Sequence, residues 1–131
     1  MKRTGILHGE LSSRLASLGH TDAFLITDSG FPVPPGVPVI DLRLVYGTPR
    51  FAEVLAAVVA DVVVETAVAA GEAEAANPAV LAAVRDVVPA PELVTHDELK
   101  ARASVARFAV RTGEATPYAN VLLTAGVGFE V

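Results

Sequence analysis

The amino-acid sequence predicts an α/β fold, a three-layer sandwich in which helices cover both faces of a largely parallel sheet. Segments with the spacing of amphipathic helices alternate with short apolar segments that are typical of buried strands. Clusters of glycine and proline fall between these segments and not inside them. Because 131 residues is a common size for one domain, we expect a single domain over residues 1–131.

The first third of the chain predicts one helix and two strands. The helix is indicated by three leucines at helical spacing, Leu11, Leu15 and Leu18. Gly19 stands where a left-handed residue would end this helix. The apolar run 23–27 is typical of a strand buried on both faces. The three prolines of 31–36 predict a loop, and 37–44 predicts the second strand.

The middle of the chain predicts a helix, a strand and a second helix. Thr48-Pro49 predicts a helix start, with a capping hydroxyl followed by proline at the first helical position, and helical spacing continues over 51–62. The β-branched residues of 62–66 favour a strand. Asn77-Pro78 repeats the start signal for a helix that should end near Pro89.

The last third predicts three short strands and one helix. The strands are 93–95, 108–111 and 121–124. Asp97 can cap a helix that runs through about Ala106. Helices and strands therefore alternate along the whole chain, as a largely parallel sheet requires.

The composition excludes several classes of protein. Fifteen acidic and ten basic residues give a net charge of −5, which is opposite to the positive field of a nucleic-acid binder. The chain has no cysteine, which excludes disulfide scaffolds, thiolate metal sites and cysteine nucleophiles. The most apolar stretch is interrupted by Asp61 and Glu65, and no secretory leader is recognisable, so we expect neither a membrane span nor export. A cytoplasmic protein is the default expectation.

Candidate site residues stand at the ends of the predicted elements, because the common phosphate-binding, dinucleotide-binding, zinc-protease and serine-hydrolase motifs are absent. His20 follows the predicted end of the first helix. Asp28 lies at the carboxyl end of a buried strand, where open α/β sheets bind ligands, and His96 has the same kind of location. Tyr118 and Asn120 carry neutral groups that both donate and accept hydrogen bonds, as sugar recognition requires.

Each of these residues also has a purely structural interpretation, and the sequence leaves it open. His20 could be hydrogen-bonded to the local backbone. Asp28 could form a turn with the Ser29-Gly30 that follows it. Tyr118 could pack its ring on the core and leave its hydroxyl in water.

At these residues the sequence resembles the D-ribose pyranase family, the RbsD-like branch of a family that also contains L-fucose mutarotases. The resemblance rests on five segments in the family's order, which are 18–22 (LGHTD), 28–34 (DSGFPVP), 95–100 (THDELK), 111–120 (RTGEATPYAN) and 125–127 (AGV). The fucose branch typically carries Tyr-Gly-Asn and lacks the histidine that matches His96, so this chain resembles the ribose branch more. It departs from the family mainly between residues 71 and 92.

The resemblance implies an enzyme that interconverts the pyranose and furanose forms of free D-ribose. It implies that His20 is the proton donor. It also implies a set of substrate contacts, namely Asp28, His96, Tyr118, Ala119 (through its backbone) and Asn120. Ring opening and closing needs no redox step, metal or cofactor, so we expect none. The family implies a ring-like homo-oligomer, for which we expect a decamer of two stacked pentamers.

Histidine suits this chemistry on its own terms, since it titrates near neutral pH and can both give and take a proton. Two other functions stay open: a mutarotase for another aldose such as L-fucose, and a non-catalytic sugar-binding accessory protein. His20 discriminates against the accessory protein, because a pure binding site has no need of a titrating group.

The predicted strand 23–27 separates His20 from Asp28. At about 3.3 Å per residue, the two side chains would lie roughly 20 Å apart or more, which is too far for one ribose to bridge. Either the chain folds back at Thr21-Asp22, or His20 of one subunit meets the remaining site residues of another. We expect the second arrangement, with the site at a subunit interface.

Overall fold

The computed structural model describes residues 1–130 and contains one six-stranded sheet. The strands are β1 (Ala23–Thr27), β2 (Val39–Asp41), β3 (Val64–Ala70), β4 (Glu92–Val94), β5 (Ala109–Arg111) and β6 (Val121–Ala125). Their order across the sheet is β2-β5-β1-β6-β3-β4. Strands β1 to β5 run in one direction, and β6 is antiparallel to both of its neighbours. The predicted largely parallel sheet is confirmed.

Helices cover both faces of this sheet. They are α1 (Gly9–Ala16), α2 (Phe51–Val59), α3 (Ala73–Ala76), α4 (Pro78–Val87) and α5 (His96–Arg102), and a 3₁₀ turn (Ala103–Val105) follows α5. Alternate side chains of β1 point to opposite faces. Phe24 and Ile26 join the core beneath α1, α2 and α4, whereas Leu25 packs with Leu99 of α5 and Ala103 on the other face. The three-layer prediction is therefore correct.

The antiparallel strand β6 explains where the long polar loop lies. β5 ends at the carboxyl edge of the parallel strands, and the chain returns directly as β6 without a crossover helix. Residues 112–120 must therefore sit at that edge. This is the edge at which Asp28 leaves β1 and His96 follows β4.

The end of α1 differs from the prediction. The helix stops at Ala16 with Ser17 as its cap, and Gly19 does not adopt the left-handed conformation. That conformation belongs to Thr21, with φ of 71°. Two backbone hydrogen bonds with Ala125 hold Thr21 in place. Thr21 N donates to Ala125 O, and Ala125 N donates to Asp22 O, both at 2.9 Å. A partner more than a hundred residues away thus overrides the local glycine signal.

The predicted start of α2 at Thr48-Pro49 is also wrong. The helix begins at Phe51, after a cap at Arg50. Two carboxylates satisfy its first N–H groups, because Glu53 accepts from Arg50 N at 3.0 Å and Glu114 accepts from Phe51 N at 3.0 Å. The distant Glu114 supplies what the hydroxyl of Thr48 was expected to supply.

The remaining differences concern element ends. The predicted strand 37–44 shortens to Val39–Asp41, and the predicted strand 62–66 becomes Val64–Ala70. The predicted cap of α5 at Asp97 is wrong, since Thr95 caps this helix by accepting from the backbone of Glu98 at 3.1 Å. Across residues 1–130, no helix combines the length and apolar character that crossing a membrane requires.

Candidate functional site

Asp28 and Asn120 form a hydrogen-bonded pair at the carboxyl edge of the sheet. Asn120, which is fully buried just before β6, accepts from the backbone N–H of Asp28 at 2.9 Å. Its amide nitrogen donates to Asp28 Oδ2 at 3.2 Å. Asp28 Oδ1 accepts from Gly30 N at 2.9 Å, so the turn-forming interpretation of Asp28 also holds. Both ends of the Asn120 amide are therefore used to orient the half-buried carboxylate of Asp28.

Three aromatic rings stand at the same edge. The rings of His96 and Tyr118 meet edge to face with centroids 5.3 Å apart. The Phe31 ring also meets the His96 ring edge to face, with centroids 5.9 Å apart. Glu72 holds the start of α5 in place by accepting the backbone N–H of His96 at 2.9 Å. The Nδ1 atom of His96 is buried and has no hydrogen-bond partner within residues 1–130. A buried polar atom without a partner is a candidate for contact with a ligand.

The loop that carries Tyr118 is fixed from outside. Tyr118 itself has φ of 59°, and Ala119 packs fully buried in the core, so only the backbone of Ala119 could reach a ligand. The Asn77 side chain donates to Thr116 Oγ1 and to Pro117 O, both at 2.8 Å. Asn77 was expected to begin α4 and does precede it, but its side chain makes no capping hydrogen bond. The sequence did not predict that Asn77 would hydrogen-bond to this loop, 39 residues away.

A second support for Asp28 comes from Arg43. Its Nη1 donates to the carbonyl of Ser29 at 3.2 Å, and its Nε donates to Asp41 Oδ1 at 2.9 Å. The hydrogen bond from Arg43 holds the pKa of Asp41 below its ordinary value, and the charge of the nearby Arg111 acts in the same direction. An exposed ion pair thus braces the turn that follows Asp28.

His20 lies at the opposite edge of the sheet. Its turn is closed by Asp22, whose side chain accepts from Gly19 N at 2.9 Å. The imidazole is half exposed, and its Nε2 lies 3.2 Å from the Glu65 carboxylate on β3. The local-backbone interpretation of His20 is therefore not the observed one. Glu65 was not singled out from the sequence, because 45 residues separate it from His20.

The structure brings Asp28, His96, Tyr118 and Asn120 together but leaves His20 apart. The five residues of β1 lie between His20 and Asp28 and span about 16 Å. β1 is paired on both sides, with β5 and β6, which keeps it extended. The turn at Thr21-Asp22 does not carry His20 back toward Asp28.

Among residues 1–130, no three histidine or acidic side chains gather in a way that could hold a metal ion. The polar groups at the carboxyl edge are hydrogen-bonding groups. Together with the three rings they fit a small polar ligand that has hydroxyl groups on an apolar frame.

The fold and this edge define a small α/β protein with a cluster of polar and aromatic side chains at the carboxyl ends of its parallel strands. Comparison with known proteins identifies the family. The chain belongs to the RbsD / FucU transport protein family, whose model matches residues 1–128. The resemblance seen in the sequence is confirmed.

Several relatives are similar over their whole length. The chain is 54% identical over 129 residues to D-ribose pyranase 2 of Streptomyces griseus, covering 98% of this chain and 100% of that protein. It is 50% identical, with the same coverage, to D-ribose pyranase 1 of Rubrobacter xylanophilus.

Solved structures agree with the fold. The structure of Bacillus subtilis RbsD complexed with D-ribose matches with a TM-score of 0.91 and 42% identity, covering 98% of this chain and 100% of that one. The fucose mutarotase of Streptococcus pneumoniae in complex with L-fucose matches with a TM-score of 0.79 over 94% of this chain and 95% of that one. At 18% identity, the fucose mutarotase supports the fold alone.

Proposed function

We propose that this protein is a sugar-ring isomerase that interconverts the pyranose and furanose forms of free D-ribose. The observation that carries the proposal is the cluster of Asp28, His96, Tyr118 and Asn120 at one edge of a chain that is 54% identical to a protein named D-ribose pyranase. The Bacillus subtilis relative, solved with D-ribose bound, supports the same substrate.

The cluster offers what a pentose requires. The carboxylate of Asp28 accepts hydrogen bonds, and the hydroxyl of Tyr118 both donates and accepts them. Nδ1 of His96 has no hydrogen-bond partner among residues 1–130 and can form a hydrogen bond to the sugar. The rings of Phe31 and Tyr118 supply apolar surface for the carbon frame of the sugar. In this proposal Asn120 acts mainly by orienting Asp28, and Ala119 contributes its backbone.

The reaction is a pair of proton transfers. When the ring opens, the bond between the anomeric carbon and the ring oxygen breaks, and that oxygen keeps the electron pair and takes a proton from His20. The anomeric hydroxyl gives its proton to water as it becomes the aldehyde. Closure reverses these steps with a different hydroxyl as nucleophile. Positioned acid–base groups are worth about 10²–10⁴-fold, which suffices for a reaction that already proceeds in water.

The proposed site is shared between subunits, with His20 of one subunit facing the Asp28 cluster of another. The separation of His20 from Asp28 along β1 supports this arrangement. So does an exposed apolar segment beside Asp28, made of Leu44, Val45 and Tyr46. The decamer and the cytoplasmic location expected from the sequence belong to the same proposal.

Mixing two impaired variants tests the shared site, at a D-ribose concentration far below saturation where the weakened binding of Asp28→Asn lowers its exchange rate. His20→Ala and Asp28→Asn subunits, exchanged in equal amounts, should recover exchange activity in about a quarter of the sites if each site takes one residue from each of two subunits. Each variant alone serves as the control. A fully active monomer by light scattering would refute the shared site.

Saturation-transfer NMR on equilibrated D-ribose tests the function itself, because it measures pyranose–furanose exchange directly. We expect the protein to accelerate exchange for D-ribose more than for L-fucose. A larger acceleration for L-fucose would make the protein a mutarotase of another aldose. Binding of D-ribose without any acceleration would make it a sugar-binding accessory protein.

A further inference from the structure

The only side-chain contact that the described residues give the ring nitrogens of His20 is with Glu65. Nε2 lies 3.2 Å from Oε2 and 3.3 Å from Oε1 of the same carboxylate. An ionised carboxylate can only accept hydrogen bonds, so Nε2 must carry the hydrogen. The other ring nitrogen, Nδ1, has no side-chain partner among residues 1–130, and the imidazole is half exposed.

An irregularity in the sheet places Glu65 at this position. Val64 pairs with Ala125 and Thr66 pairs with Thr124, so two steps along β3 match one step along β6. Glu65 is the extra residue of this β-bulge. Bulges redirect a side chain and are common beside active sites. Here the redirected side chain is the one that reaches His20.

The surroundings of the bulge keep it in place. The hydroxyls of Thr66 and Thr124 are hydrogen-bonded across the strands directly after it. Gly126 N donates to Val63 O at 2.8 Å on the other side of the bulge. A Cβ at Gly126 would lie only 3.0 Å from Val63 Cγ1, so a glycine at this position lets the two strands approach each other at the bulge.

We propose that Glu65 is a positioning residue that holds Nε2–H of His20 and thereby makes Nδ1 the nitrogen that exchanges protons with the sugar. This inference rests on the proposed function, in which His20 is the acid. The charged imidazole donates the Nδ1 proton to the ring oxygen while its Nε2–H stays bonded to Glu65. After the transfer, neutral Nδ1 accepts the proton of the hydroxyl that attacks the aldehyde.

The His20–Glu65 pair orients the imidazole and contributes little to the stability of the fold. Both side chains are about half exposed, at 50% and 49%, and exposed pairs of this kind add little to the stability of a fold. Replacing Glu65 should therefore leave the protein folded. Its loss should be visible in catalysis alone.

Substitutions of Glu65 test the orientation. Glu65→Ala should slow ribose exchange by about 10–100-fold, the loss typical when the partner that orients a metal-binding histidine is removed, while ribose affinity stays unchanged. Glu65→Gln keeps an oxygen that can accept from Nε2–H and should restore most of the rate. Glu92→Ala is the matched control, since Glu92 is similarly exposed and paired with Arg102. Equal activity of Glu65→Ala and Glu92→Ala would overturn the proposal.

Methylated histidines test which nitrogen reacts. A methyl group on Nδ1 of residue 20 should abolish exchange, whereas a methyl group on Nε2 should leave about the activity of Glu65→Ala. The opposite result would overturn the assignment of Nδ1.

A spectrum of the resting protein separates this inference from the proposed function. Long-range ¹H–¹⁵N correlations of the neutral His20 ring should show the Nε2–H tautomer alone in the wild type and a mixture in Glu65→Ala. An Nδ1–H tautomer in the wild type would refute the inference without any sugar present. Failure of the wild type to exchange ribose would instead refute the function, and the spectrum would still decide how Glu65 acts on His20.

Discussion

The two edges of the sheet are built in different ways. At the carboxyl edge, Asp28 is oriented by the buried amide of Asn120, and the His96 and Tyr118 rings pack against each other. At the opposite edge, His20 stands on a four-residue turn with a half-exposed carboxylate as its side-chain partner. The polar groups at the carboxyl edge are held by hydrogen bonds within the chain, whereas the imidazole at the opposite edge is half exposed.

Under the proposed function, this difference corresponds to ribose binding at the carboxyl edge and proton transfer at the opposite edge. Binding groups that are held by buried hydrogen bonds lose little freedom when a ligand arrives, which favours affinity. A half-exposed imidazole is accessible to a second subunit, as the proposed shared site requires. Substitutions at the two edges should therefore separate binding from catalysis.

The largest expected effect is that of His20→Ala. It should reduce ribose exchange by at least about 100-fold, because it removes the acid–base group, while ribose affinity and the folded structure are retained. Saturation-transfer NMR and calorimetric titration measure the two quantities. His8→Ala is the control, since His8 only caps α1 by accepting from Leu11 N. Near wild-type exchange in His20→Ala would remove His20 from the mechanism.

At the carboxyl edge the expected effect is on affinity. Asp28→Asn removes the negative charge and Tyr118→Phe removes the hydroxyl at the proposed sugar site, and each changes packing little. Each should weaken ribose binding by about 0.5–3 kcal/mol, depending on charge and burial. Calorimetric titration checks this, with thermal unfolding as the control for stability. Unchanged affinity in both variants would contradict a common sugar site.

Local signals in the sequence located most of the carboxyl edge. Asp28 stands directly after the buried strand β1, His96 follows the edge strand β4, and Tyr118 and Asn120 precede β6, so the topology alone gathers them. The sequence could not show that both ends of the Asn120 amide are used by Asp28. That pairing joins residues 92 positions apart.

The opposite edge was less predictable for the same physical reason. A run of β-branched residues predicts a strand near Val64, but a bulge depends on the register of the partner strand. Glu65 therefore looked like one acidic residue in an apolar stretch. Thr21, which adopts the left-handed conformation, carries no signal of its own and is held by Ala125.

A glycine substitution tests how closely the bulge controls catalysis. In Gly126→Ala the new methyl group would lie 3.0 Å from Val63 Cγ1, so Val63, two residues before Glu65, must shift. Exchange should fall by less than the roughly 10-fold expected for losing Glu65, because Glu65 is displaced and not removed. Gly128→Ala is the matched control, because a Cβ there meets nothing within 4 Å. Equal ribose exchange rates in Gly126→Ala and Gly128→Ala would contradict this control of catalysis by the bulge.

The smallest expected effect concerns the ion pair that braces the turn after Asp28. The hydrogen bond from Arg43 lowers the pKa of Asp41 in the folded protein, so the charged carboxylate stabilises the fold above the pKa of the unfolded chain, near 3.9. This contribution is complete above about pH 5 and is lost as the pH falls through the folded pKa. Asp41→Asn should therefore lower the unfolding temperature slightly at pH 7 and leave it nearly unchanged at pH 2. Thermal unfolding of the wild type and the variant at both values measures the difference. A stability gap that is as large at pH 2 as at pH 7 would mean that the Asp41 charge does not brace the carboxyl edge.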